Sequence, residues 1–292
     1  VPQPCSLVLM LSAVRLANGM ARTSLGGVHY ATSGGSNTDL TPLFLFHMSP
    51  RSTDEFLEAM PLLSADGRLV VAIDEPGYGR SQSPCRSCSL DEIADCAIDV
   101  AAELGVEHFA AVGSLMGCFL SLSLAQRYPE RVRALVLTNM YHYPPKPEAP
   151  QEEAPVDDWS LDPDGEHLTA LWKRRSGFLD PELNTRAVTD ELIYRLNRRR
   201  RYAEGISIQD ASAYDFEAAA RAARCPALCI RGEGATALFD RIGLGMSEQF
   251  AKGVGMLSDA EVAVISPGSI NLINQDASVW AEHVLRFVGA RG

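Results

Sequence analysis

The sequence lacks an apolar run long enough to cross a bilayer. The run closest to the N-terminus, Leu7 to Val14, falls well short of the ~20 residues that a membrane-spanning helix needs. No basic residue precedes it, as a secretory signal would require. We therefore expect no membrane partner, and we assign residues 1–19 to a leader or disordered extension before a domain that opens at Met20.

Positive charge is also scarce. The chain has 26 Lys and Arg residues against 37 Asp and Glu, a formal net charge of −11 and a pI near 5.0. Such a surface repels a polyanion and cannot release its counterions, so nucleic acid is excluded as a partner. The run Arg198 to Arg201 has two interpretations, an anion site or, as we favour, the solvated face of a helix.

The chain does not have the cysteine pattern of a disulfide framework. It contains seven cysteines, an odd number, and most lie in apolar segments, where they act as small hydrophobic residues: Cys96, Cys118, Cys225 and Cys229. This favours a reducing, cytoplasmic location. The pair Cys85 and Cys88 has no second CxxC or clustered histidines beside it, so we interpret it as a polar surface loop and expect no metal or cofactor.

Buried-strand and helical patterns alternate through the first half of the chain. Apolar runs occupy Pro42–Met48 and Leu69–Ile73, and Leu90–Leu104 carries apolar residues near the 3.6-residue helical period. A buried strand, a glycine turn, a helix and a second strand follow over Phe109–Leu137. This alternation predicts an α/β fold with a mostly parallel, doubly wound sheet. With 292 residues, of which 46% are hydrophobic, the chain can bury one large core.

The composition changes at Tyr143. A segment rich in proline and acid cannot enter a central strand, and helical patterns follow over 167–175 and 190–202. The α/β pattern resumes at Cys225 and ends in a helix over about 278–288. We therefore predict a core formed by 20–142 and 223–292, interrupted by a helical insert over 143–222.

Four segments in order resemble one known superfamily. They read FHMSPRS from Phe46, DEPGYGRS from Asp74, GSLMG from Gly113 followed by AQRYPERVRALVL, and CPALCIRGE from Cys225. From about residue 25 to 287 the chain resembles the α/β-hydrolase superfamily. The resemblance implies an α/β-hydrolase fold, with the insert over 143–222 as a helical cap above the active site.

The resemblance also locates the catalytic triad, and all three of its positions are substituted. The middle of a G-x-S-x-G nucleophile elbow is Leu115, the acid position falls at Ala235, and the histidine position falls at Ile270. None of these side chains can attack, accept a proton or bind a metal. The oxyanion donors would be the backbone amides of Ser49 and Met116.

Several polar residues are candidates for displaced chemistry or ligand contact. His47 could move a proton near neutral pH, or it could hydrogen-bond its own loop, which we favour; Ser114 would point into the sheet or a neighbouring loop. Asp240 and Glu233 could hold a ligand, whereas His29, His108, His167 and His283 are expected at the surface. The expected ligand-binding residues are His47, Met48, Ser114, Leu115, Tyr141, His142 and Ile270.

Three functions are consistent with this sequence. The first is a degenerate hydrolase that binds a small apolar molecule between core and cap. The second is a lyase, cyclase or atypical hydrolase that uses the oxyanion hole and one acid or base such as His47. The third is a protein-interaction module without a usable pocket. The sequence is also compatible with a homodimer. The fold alone does not choose among the three functions.

Overall fold

The computed structural model describes residues 16–49, 51–142, 163–176 and 214–290, with the single positions 189 and 192. Within these residues eight strands form one sheet: β1 (Ala17–Thr23), β2 (Gly26–Ser33), β3 (Leu43–Phe46), β4 (Val70–Ile73), β5 (Phe109–Ser114), β6 (Val132–Thr138), β7 (Ala227–Gly232) and β8 (Ala260–Ile265). Their order is β1-β2-β4-β3-β5-β6-β7-β8. β2 pairs antiparallel with both β1 and β4. The six strands β3 to β8 are parallel to one another. The predicted mostly parallel α/β sheet is confirmed.

Helices connect these strands. The described helices are α1 (Met60–Leu63), α2 (Leu90–Glu103), α3 (Met116–Arg127), α4 (Glu166–Ser176), α5 (Phe216–Ala222), α6 (Glu233–Arg241), α7 (Met246–Met256), α8 (Leu272–Gln275) and α9 (Ala277–Gly289), with a short 3-10 helix over Thr53–Phe56. α2 begins at a capping box, in which the Ser89 hydroxyl accepts from the Glu92 amide and the Glu92 carboxylate accepts from the Ser89 amide. None of the helices in the described ranges is long and apolar enough to cross a membrane.

The sheet buries both of its faces. Alternate residues of β3 belong to different hydrophobic clusters, Phe44 and Phe46 to one and Leu43 and Leu45 to the other, as the two-residue period of a strand requires. Residues of α2, α3 and α5 share the first cluster, and residues of α1 and α9 share the second. Helices therefore cover both faces, and the carboxyl ends of β3 to β8 meet at one edge.

Two predicted boundaries differ from the structure. β1 begins at Ala17, so residues 17–19 belong to the sheet and not to a leader. Phe216 at the start of α5 is buried in the core cluster with α3, so the core resumes before 223. The predicted helix over 190–202, with Arg198 to Arg201, and the start of the leader lie outside the described residues.

Candidate functional site

The turn between β5 and α3 has the backbone of a nucleophile elbow. β5 ends at Ser114, α3 begins at Met116, and Leu115 between them has φ 47° and ψ −104°. A positive φ is uncommon for a residue other than glycine and costly for a bulky one. The Leu115 amide donates to the carbonyl of Thr138 at 2.9 Å, which fixes the turn against β6. The strained strand-to-helix turn that exposes a nucleophile is present with leucine at its apex.

The two glycines of this turn have a steric role. A Cβ on Gly113 would collide with the carbonyl of Gly117, and a Cβ on Gly117 would collide with the carbonyl of Phe46 in β3. Both obstacles are backbone atoms that no side-chain rotation can move. The glycines therefore keep α3 close to β3 and β5, which the elbow requires whether or not a nucleophile is present.

The three substituted triad positions are part of a single apolar cluster. We call the apical cluster the set of buried residues Met48, Leu115, Ala235, Met246 and Ile270, against which Tyr141, Trp172 and Phe239 pack while partly exposed. The five buried members come from the loop after β3, the elbow, α6, α7 and the loop after β8. Their side chains carry no group that titrates near neutral pH, so the cluster cannot activate water or attack an ester.

The acid position, Ala235, lies on a helix. α6 begins at Glu233, directly after β7, and its first amides bond to the loop after β8: Gly234 N to Pro267 O at 2.6 Å and Ala235 N to Gly268 O at 2.9 Å. These bonds satisfy donors that a helix start leaves unpaired. The ligand contacts expected from Glu233 and Asp240 are not supported, because both side chains are exposed and Asp240 accepts hydrogen bonds from Ser247.

Both ring nitrogens of His47 contact neighbouring backbone groups. Its side chain is fully buried, its Nε2 accepts from the amide of Glu75 at 3.1 Å, and its Nδ1 lies 3.0 Å from the carbonyl of Met48. A neutral imidazole protonated at Nδ1 satisfies both contacts. Burial lowers the pKa of His47 below its usual value. The structural role is supported, and the ring has no nitrogen left for a substrate proton.

A buried carboxylate lies beneath the elbow. Glu55 accepts hydrogen bonds from the Ser114 hydroxyl at 2.8 Å through Oε1 and from the Met48 amide at 2.7 Å through Oε2. Ser114 thus points toward the 3-10 helix, whereas the sheet or a neighbouring loop was expected. Through the Met48 amide, Glu55 joins the 3-10 helix to the loop after β3, which we call the oxyanion loop because it contains Ser49. The amides of Ser49 and Met116 stay the predicted oxyanion donors, and the Ser49 hydroxyl donates to Tyr78 at 2.9 Å.

Tyr141 and His142, which follow β6, contact different parts of the molecule. Tyr141 packs against the apical cluster and donates its hydroxyl to the Met116 sulfur at 3.3 Å. His142 is buried against Phe216, with Nδ1 3.1 Å from Gln249 Oε1 and Nε2 3.1 Å from Glu217 Oε1. These partners belong to α5 and α7, so His142 joins those helices to β6 and does not line the cluster through its polar atoms.

Histidine and cysteine placement corrects two further expectations. His29, expected at the surface, is buried, with Nδ1 2.8 Å from Asp74 and Nε2 2.9 Å from Asn18. Cys85 is exposed, but Cys88 is buried, and burial raises the pKa of its thiol to about 11. A thiol that keeps its proton is a poor redox group or metal ligand. Among the described residues, no three metal-binding side chains come together.

Residues that sequence reasoning missed complete the site. Trp172 of α4 and Met246 of α7 join the apical cluster from segments without a family motif. Arg51 and Asn271, beside the oxyanion loop and the histidine position, are almost completely buried. Arg51 is part of the segment FHMSPRS, and Asn271 follows the histidine position Ile270, but neither side chain was singled out from the sequence.

The sheet order, the elbow and the converging triad positions define an α/β-hydrolase fold in which the triad side chains are replaced. A family model described as alpha/beta hydrolase fold matches residues 41–180. The enol-lactonase of Burkholderia xenovorans LB400 superposes with a TM-score of 0.71 at 17% identity, covering 93% of this chain and 100% of that one. The naproxen esterase of Bacillus subtilis gives 0.69 at 18% identity, with 97% and 95% coverage.

Curated relatives match over a shorter stretch. The 1-acylglycerol-3-phosphate O-acyltransferase ABHD5 of Rattus norvegicus is 28% identical over 150 residues, 50% of this chain and 41% of that protein. The bifunctional epoxide hydrolase 2 of Sus scrofa is 31% identical over 123 residues, 40% of this chain and 22% of that protein. The chain thus matches less than half the length of these relatives. This chain therefore has the α/β-hydrolase fold and is similar to these proteins, with Leu115, Ala235 and Ile270 at the catalytic triad positions.

Proposed function

We propose that this protein is a non-hydrolytic member of its superfamily that binds a small apolar molecule between core and cap. The observation that carries the proposal is the apical cluster, in which Leu115, Ala235 and Ile270 pack together where a triad would react. Loss of a triad costs about a million-fold in turnover and leaves roughly a thousand-fold over water. The same apolar surface suits a ligand pocket, since such pockets are lined mainly by hydrophobic and aromatic side chains.

The cap segment contributes to this surface. Trp172 lies on α4, within the insert that the sequence assigned to a cap, and packs against the apical cluster. A tryptophan offers a large apolar area together with an N–H donor. The name of the rat relative refers to an acylated glycerol phosphate, which supports a ligand with a hydrocarbon chain.

The other two functions have less support. A non-triad enzyme would need an acid or base facing the reaction centre, and His47 is committed to backbone partners on both ring nitrogens. An interaction module does not require a tryptophan from the insert to pack over the former triad. We therefore favour ligand binding over both.

Trp172 provides the test of ligand binding. A brominated long-chain alcohol, whose bromine quenches indole fluorescence on contact, is titrated into the Trp172→Phe and Trp280→Phe variants. Trp280 lies on the far side of the sheet, where its Nε1 donates to Thr138 at 2.9 Å, and it is the matched control. We expect saturable quenching in the wild type that falls sharply in Trp172→Phe and persists in Trp280→Phe. Equal quenching in both variants, or no binding, would contradict the proposal.

A further inference from the structure

Arg51 is a buried cation without a counter-charge in contact. Its side chain lies in the loop after β3 and is 1% exposed. Nη1 donates to Asn274 Oδ1 at 3.0 Å, and Nε has no acceptor. In the part of the chain that the structure describes, no carboxylate lies within 4.0 Å of this guanidinium. The link to Glu58 is indirect, since Asn274 Nδ2 donates to Glu58 Oε2 at 3.0 Å.

A second buried arginine, Arg68, has the counter-charge that buried arginines usually have. Arg68 is 2% exposed, and although its Nε also has no acceptor, its Nη1 donates to the Thr41 carbonyl at 2.7 Å and its Nη2 lies 3.4 Å from Asp66 Oδ2. Arginine is almost never fully buried unless it is paired, because an unpaired buried charge is costly. Arg51 departs from this rule, and Arg68 follows it.

A side-chain amide without a hydrogen-bond partner lies in the turn that contains Asn274, the residue that Arg51 contacts. Asn271 is 1% exposed, and neither its Oδ1 nor its Nδ2 has a hydrogen-bond partner. Its carbonyl accepts from the amide of Asn274, the residue that Arg51 contacts. Buried polar groups in native proteins nearly always have partners, and leaving one unsatisfied destabilises the fold.

The backbones of Arg51 and Asn271 adjoin members of the apical cluster. The Arg51 amide donates to the carbonyl of Met48 at 2.7 Å, and Asn271 directly follows Ile270. Met48 and Ile270 are cluster members. The unsatisfied donors of the cation and of the amide therefore belong to residues whose backbones border the apolar cluster to which we assign ligand binding.

We propose that Arg51 and Asn271 bind the anionic head group, a carboxylate or a phosphate monoester, of the ligand whose hydrocarbon part contacts the apical cluster. This inference rests on the proposed function. The Nε edge of a guanidinium, opposite the Nη1 that Asn274 occupies, matches the paired oxygens of such a group. The anion supplies the counter-charge that Arg51 lacks, and Asn271 Nδ2 donates to one of its oxygens.

The test compares head groups on one hydrocarbon chain. Dodecanoate, dodecyl phosphate and dodecanol, each below its micelle concentration, are titrated calorimetrically into the wild type, Arg51→Met and the control Arg68→Met. We expect at least one of the two anions to bind the wild type about thirtyfold more tightly than the alcohol. Arg51→Met should lose that preference and keep its affinity for the alcohol, whereas Arg68→Met should keep both. The anion that is preferred identifies the head group.

The outcomes separate the two proposals. Equal affinity of acid, phosphate and alcohol in the wild type overturns the head-group inference, since Arg51 and Asn271 would then be served by water, and leaves apolar binding in place. Binding of none of the three overturns both proposals. If Arg51→Met does not fold, dodecanoate isotope-labelled at its carboxyl carbon is followed by NMR on the wild type. A bound carboxylate that stays ionised below the pH at which the free acid is protonated supports the inference, and an unchanged titration overturns it.

Discussion

At the scale of the residue, Leu115 combines a side chain suited to a core with a backbone suited to a nucleophile. Its φ of 47° is imposed by its neighbours, because the Leu115 amide bonds to Thr138 and the flanking glycines allow the close approach of α3. The leucine side chain then packs with Met48 and Ile270. The backbone strain that presents a catalytic serine in a nucleophile elbow is kept here with leucine at the apex, so its cost in folding free energy should be measurable.

We predict that Leu115→Gly is more stable than Leu115→Ala. Both variants lose the packing of a buried leucine, about 2–5 kcal/mol, but only alanine keeps a Cβ at positive φ, which costs about 1 kcal/mol. Urea unfolding of the two variants measures the difference. Ala111→Gly, at a buried position of β5, is the control, and there glycine should be the less stable residue. A Leu115→Ala variant more stable than Leu115→Gly would show that the turn has relaxed.

At the scale of the element, the carboxylate that follows β4 joins parts of the fold that are distant in sequence. Asp74 accepts from the amide of Thr53 at 2.6 Å and the amide of Arg80 at 2.8 Å, and its Oδ2 lies 2.8 Å from His29 Nδ1 on β2. Burial opposes its ionisation, but the hydrogen bond with His29, the nearby His47 and the two amides together lower the pKa of Asp74. The ionised carboxylate is therefore the form that the fold stabilises.

We predict that Asp74 contributes stability that depends on pH. A carboxyl group whose pKa is lower in the folded state stabilises the fold above its unfolded pKa, near 4, and this contribution is lost as the pH falls through the folded value. At neutral pH Asp74→Asn should lower the free energy of unfolding by about 2–3 kcal/mol, and the gap to wild type should narrow below about pH 4. Urea unfolding of both proteins across this pH range measures the difference in their free energies of unfolding. Asp240→Asn is the exposed control, and a gap as large for it would argue against the buried network.

The sequence predicted the parallel strands well because each is a short run of apolar residues that is buried on both faces. It did not predict the β1–β2 hairpin, whose residues Gly26 and Gly27 carry no apolar alternation, nor α6, which carries the acid position Ala235. The contact between His29 and Asp74 spans 45 positions, and no local pattern indicates it. Periodicity thus identified the elements that bury apolar faces, and polar contacts between them needed the structure.

At the scale of the whole molecule, the fold brings the triad positions together. Leu115, Ala235 and Ile270 follow β5, β7 and β8, and the carboxyl ends of parallel strands share one edge of the sheet, where α/β proteins bind ligands. Family motifs were therefore enough to predict which of these positions meet. They could not predict that Met246 and Trp172 would complete an apolar surface, since those residues come from segments without a motif.

Restoring the triad tests whether only side chains were lost. The wild type should not react with a fluorophosphonate probe, and Leu115→Ser alone should hydrolyse almost no nitrophenyl ester, because a serine without a base keeps its proton. Adding Ile270→His and Ala235→Asp should give activity far above the single variant, non-additively, since the three groups act as a unit. Ester turnover and a structure of the triple variant are measured together. Three side chains in contact without turnover would show that Met48, or the Glu55 carboxylate bound to its amide, has closed the oxyanion site as well.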